Sequence, residues 1–178
     1  TPEMQDGNML RVCVEEYSAL PVDSEAFKGE IPDLVNLVPY SPFDYYISRK
    51  LFIHNMGHAM TAYLGSLLGC DYIYEAIAVP EVEMLVMRAM LESSMALSQK
   101  YDIPFKLIYA NVEDLLRRFA NRQLKDTVAR VGGDIRRKLS PNDRIIGALK
   151  LCCEQDVEPL HICLAAAAAM HFKHDELS

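Results

Sequence analysis

The 178 residues are enough for one ordinary domain and marginal for two. Apolar residues make up 51% and charged residues 24%, a balance that supports a real core and excludes a disordered chain. A net charge of -7 and a pI of about 5.2 repel phosphate backbones and anionic bilayers, so neither nucleic acid nor a membrane surface is an expected partner.

The longest apolar run, residues 162–170, is about half of what a membrane span needs. The N-terminus is polar and acidic, with no secretory signature. Cys13, Cys70, Cys152, Cys153 and Cys163 are odd in number and include no C-x-x-C, which fits reduced thiols in a cytoplasmic protein. The first residue is not Met and the last follows closely on a helical segment, so the chain is expected to be a fragment, truncated at its C-terminal end.

In chain order, residues 9–17 alternate loosely and predict one strand. Residues 18–42 carry Pro21, Pro32, Pro39 and Pro42 and are expected to be extended or looping. A single strand cannot bury itself, so the arm formed by residues 1–40 should pair with a sheet outside this chain. Residues 41–178 predict a helical domain. Ser41 is the expected N-cap of a long helix with Pro42 at N1, and Gly69 its terminator. Pro80 opens a second long helix over 80–100. A third follows over 104–121, then short pieces over 124–138. Ser140-Pro141-Asn142-Asp143 resembles a capping-box start leading a helix to about 155. Pro159 opens the last helix. The fold class is therefore mainly α, a helical bundle with a short extended or β N-terminal arm.

There is no G-x-G-x-x-G after a strand and no Walker loop, so a dinucleotide would have to be held mainly elsewhere. His54 and His58 have chelating spacing, but Asn55 stands where H-E-x-x-H requires glutamate, and no metal is expected. The stretch around Lys50 carries more chemistry. At 100° per residue, Lys50, Asn55 and His58 fall at about 0°, 140° and 80°, on one side of a helix. Crowded by Leu51, Phe52 and Ile53, Lys50 is expected to be buried, which would depress its pKa and suit it to general-base work. Asn55 and His58 can donate to an oxygen that gains charge. The same spacing also fits a lysine lying along a helix edge, with Asn55 and His58 bonded to nearby backbone.

R-K-L-F-I-H-N-M-G-H-A at 49–59 and T-A-Y-L-G at 61–65 resemble the helix motif of the mannitol dehydrogenase family, the polyol-specific long-chain dehydrogenases. R-F-A-N-R-Q-L-K-D-T-V-A-R-V at 118–131 and R-K-L-S-P-N-D-R at 137–144 are similar to the same family, as are L-R-V-C-V-E-E-Y in the arm and A-A-A-M-H-F near the end. These blocks run in order over nearly the whole chain.

The resemblance implies a helical bundle of the type that follows the nucleotide domain in 6-phosphogluconate dehydrogenases, working with a Rossmann domain of its own protein. It implies NAD as cofactor, bound mainly by that other domain, and a small polyol phosphate as substrate. In the family the lysine is the base, and the asparagine and histidine bind and polarise the reacting oxygen, which gives Lys50, Asn55 and His58. An acidic residue of the arm would lie beside the substrate, Glu16 or its neighbour Glu15. Arg137 and Lys138, in a basic cluster with Arg136, are the expected phosphate ligands, and the same cluster also fits a solvated basic turn. The fragment alone is expected to be inactive. Two other readings are a sister reductase acting on a sugar acid and a non-catalytic helical interaction domain, which an exposed Lys50 would favour.

Overall fold

The computed structural model describes residues 7–11 and 19–172. Met9 and Leu10 lie in an exposed turn rather than a strand, and the rest of the expected arm strand, Glu15 and Glu16 included, falls outside the described residues. Two short strands form instead within the proline-rich stretch, β1 (Leu20–Asp23) and β2 (Leu37–Tyr40). They pair in parallel, with Leu20 opposite Leu37 and Asp23 opposite Tyr40.

The remainder is helical: α1 (Phe43–Arg49), a π segment (Lys50–Asn55), α2 (Met56–Leu67), α3 (Ile73–Ile77), α4 (Pro80–Tyr101), α5 (Phe105–Phe119), α6 (Val128–Gly132), α7 (Ile135–Lys138), α8 (Ile146–Glu154) and α9 (Leu160–Met170). Among the described residues, no helix is long and apolar enough to cross a membrane.

α2 is the axis of the bundle, packed by α3, α4, α6 and α9. A helix that is apolar on all sides must be covered on all sides. Of residues 56–65, only His58 is not buried. Ile53, Met56, Met60 and Tyr63 are fully buried, each worth roughly 1.5–3 kcal/mol of transfer free energy. α2 and α4 approach closely at Gly57, where a Cβ would lie 2.7 Å from the Met90 sulfur. The buried hydroxyls of Thr61 and Ser94 donate to Gly57 O at 2.9 Å and Met90 O at 2.7 Å, one turn back.

The helix ends follow local chemistry. Pro80 sits at N1 of α4, with Glu81 and Glu83 in its first turn. Gly69, at φ +75, ends the helix before it as expected. α5 buries Ile108, Val112, Leu115, Leu116 and Phe119 on one stripe. α9 is capped at long range: the Glu92 carboxylate of α4 accepts from His161 N at 2.9 Å and Ile162 N at 3.0 Å, and lies 2.6 Å from His161 Nδ1.

Three expectations change. Pro42 is the N-cap of α1 rather than N1, and the Ser41 hydroxyl donates to the Glu25 carboxylate instead of capping the helix. The long helix of 41–69 is interrupted by the π segment. Ser140 to Asp143 form turns and α8 starts only at Ile146, because Asp143 pairs with Arg144 and Arg137 instead of capping.

Candidate active site

The π segment coincides with the motif. Its i→i+5 ladder turns each residue by less than the 100° of an α-helix, so five steps from Lys50 to Asn55 no longer leave a 140° gap. The two residues come closer in phase than a regular helix would put them. Such widened turns recur at functional positions. Ile53 points into the core, and a side chain at Gly147 would meet the Phe52 ring. Lys50 is exposed. The expected burial of Lys50 is therefore corrected for this chain: its apolar neighbours turn inward and leave the amine on the outer side. Asn55 is half-buried.

His58 escapes the core through a cleft of about 270 Å³ lined by His54, His58, Ile73, Tyr74, Arg118, Phe119, Asn121, Leu124 and Asp126. Its ring stacks on Phe119 with centroids 4.9 Å apart and planes 17° apart. His54 joins the same aromatic cluster, 5.8 Å from Phe119 and 6.1 Å from His58. His58 Nε2 lies 3.4 Å from Asp126 Oδ2, and the other oxygen of Asp126 binds Arg130. Burial pushes the Asp126 carboxyl up, but His58 and Arg130 together outweigh it and hold the pKa below the ordinary aspartate value.

The backbone pins Asp126 in place. Ile73 N donates to Asp126 O at 2.9 Å, and Val128 N to Asp71 O at 2.8 Å. Tyr72 and Thr127 form an antiparallel bridge between them. Thr127 then caps α6 by accepting from Arg130 N at 3.2 Å. The cleft thus joins two sequence blocks about 60 residues apart, 49–59 and 118–131. In the sequence, Arg118, Phe119, Asn121 and Asp126 stand out only as part of a family block. Nothing in their local spacing marks them as neighbours of His58.

The expected phosphate ligands lie elsewhere. Lys138 is buried, and its ammonium donates to Val131 O at 2.6 Å and to Gly133 O. Burial, reinforced by Arg144 and Arg137, lowers its pKa to about 8. Arg137 binds Asp134 and, at 3.2 Å, Asp143. Neither residue lines the cleft. Two of the three N–H donors of the Lys138 ammonium are thus taken by backbone carbonyls.

The chain also resembles known proteins. Residues 43–177 match the family described as the mannitol dehydrogenase C-terminal domain. The chain belongs to this family. A mannitol-1-phosphate 5-dehydrogenase of Caldanaerobacter subterraneus subsp. tengcongensis is 40% identical over 166 residues, covering 93% of this chain and 42% of that protein. One of Clostridium acetobutylicum is 43% identical over 168 residues, covering 94% of this chain and 43% of that protein. The chain spans less than half the length of these curated relatives.

Three glycines of this mannitol dehydrogenase C-terminal domain do not fit a pyrophosphate loop. Pyrophosphate loops need open glycines at a helix start. Here Met90 fills the space beside Gly57, and the Phe172 ring that beside Gly132. Gly69 is open but follows a helix instead of leading one.

Proposed function

We propose that this chain is the substrate-binding and catalytic part of an NAD-dependent polyol phosphate dehydrogenase that interconverts mannitol 1-phosphate and fructose 6-phosphate. The observation that carries this reading is the cleft, where His58 of the first motif block meets Arg118 and Asp126 of the second. The names of the two relatives supply the substrate class. NAD, the hydride acceptor, is proposed to be bound by a Rossmann domain outside this chain, which leaves proton handling and substrate orientation to the residues described.

Lys50 is the proposed base for the substrate hydroxyl, and its exposure in this chain leaves it accessible to the other domain and the substrate. Asn55, brought toward the same phase by the π segment, is the proposed donor to the developing alkoxide. His58 binds a substrate oxygen. Arg118 replaces Arg137 and Lys138 as the proposed phosphate ligand because it lines the cleft, and arginine suits bidentate phosphate binding. Glu16 is kept as a proposed substrate contact from the arm.

In a longer protein that carries this chain and its nucleotide domain, Lys50→Ala removes the base and little binding surface. Its kcat should fall by about two to four orders of magnitude, with the rising limb of the oxidation pH profile lost. A variant with near-normal kcat and an unchanged profile would refute the role and favour an interaction domain. The 178-residue chain alone, with NAD and mannitol 1-phosphate, should show no turnover.

A further inference from the structure

His58 has one anionic neighbour in the cleft. The titratable and charged groups around its ring are His54 from the π segment, Tyr74 from α3, Arg118 from α5 and Asp126 from the loop before α6, with Arg130 beyond Asp126. The two oxygens of Asp126 are divided: Oδ1 goes to Arg130 and Oδ2 faces His58 Nε2 at 3.4 Å. Both side chains of the His58–Asp126 pair are about one-fifth exposed, 23% and 22%, so solvent screens the pair only partly. The Phe119 ring fixes the plane of the imidazole and Asp126 fixes its rotation about that plane.

We propose that Asp126, itself held by Arg130, is a positioning residue that sets both the orientation of His58 and the nitrogen that carries its proton. A carboxylate accepts and cannot donate, so the neutral ring places its hydrogen on Nε2. Nδ1 then keeps the lone pair and is the nitrogen left to accept a hydrogen bond from a ligand hydroxyl. Carboxylate–histidine pairs fix ring nitrogens in this way at metal and catalytic centres generally. The role in catalysis rests on the proposed polyol phosphate reading. The pairing itself does not.

Arg130 competes with His58 for the same carboxylate, and this gives the arrangement a signature. In a histidine NMR titration of this chain, neutral His58 should show the Nε2–H pattern. Asp126→Asn should mix in the Nδ1–H pattern, because an amide in that place can donate as well as accept. Arg130→Met should keep the Nε2–H pattern, because Asp126 then faces His58 alone. Arg130 is exposed and caps nothing with its side chain, so this variant keeps the test available should Asp126→Asn fail to fold. An Nδ1–H pattern in the parent chain or in Arg130→Met, or a pattern unchanged in Asp126→Asn, would overturn the proposal. In the longer protein, Asp126→Asn should raise KM for the polyol phosphate about tenfold, with partial recovery in Asp126→Glu. If the NMR shifts appear while KM stays put, the positioning stands and His58 is not the substrate contact.

Discussion

Arg130 and Arg137 each bind an aspartate on the preceding turn, Asp126 and Asp134. Asp126 is shared with His58 at the wall of the cleft, so its charge reaches a side chain that can meet a ligand. Asp134 is exposed, and the Arg137 hydrogen bond holds its carboxyl below the ordinary aspartate value. Arg137 turns its remaining valence to Asp143, which is held in turn by Arg144 at 2.7 Å. Lys138, next in sequence, faces two carbonyls. The two regions carry similar residues at similar spacing. One uses its charges to close the chain on itself, and the other leaves part of them facing open volume.

The largest expected effect that separates the regions is at Arg118. In the longer protein, Arg118→Met should raise KM for the phosphorylated polyol relative to the unphosphorylated one by about ten- to a hundredfold, the size of a lost charged hydrogen bond. Equal effects on both substrates would remove Arg118 from the phosphate. Lys138→Met comes next and should act on stability alone, costing about 2 kcal/mol because two buried carbonyls lose their donor. A urea midpoint would read this loss, with the ratio of the two KM values unchanged.

Lys138 also carries a pH signature. Its folded pKa of about 8 lies below the ordinary 10.5, so between those values the unfolded chain binds more protons. Stability from this group therefore rises as pH increases through that window, and Lys138→Met should flatten the rise. A flat profile in the parent chain would count against the depressed value. The smallest effect belongs to Arg137→Ala. Its partly exposed ion pairs should contribute no more than about 0.5 kcal/mol, and no KM split should follow. A selective rise in KM for the phosphorylated substrate would restore Arg137 as the ligand and erase the contrast.

Much of the helical layout was legible in punctuation. Pro80 and Gly69 mark real helix boundaries because a missing N–H or a positive φ fits only there. The motif at 49–59 was legible as a unit. Its geometry was not, because a π turn changes the degrees per residue without altering composition, and because the apolar neighbours of Lys50 turn inward and leave it exposed. The cleft was invisible for a different reason. His58 and Asp126 meet only after α3 and the Tyr72–Thr127 bridge fold the chain back, a long-range pairing with no local signal. Lys138 misled because a basic triplet looks solvated in sequence, and its carbonyl partners five and seven residues earlier become neighbours only through the turn between α6 and α7.

The carboxylate of Glu92 supplies the amide acceptors at the start of α9 from a point 69 residues earlier in the chain. A helix capped by its own preceding residue can form before it docks. α9 cannot complete its first turn's hydrogen bonding until it lies against α4. The two segments should therefore gain and lose protection from solvent exchange as one cooperative unit, although 69 residues separate Glu92 from His161.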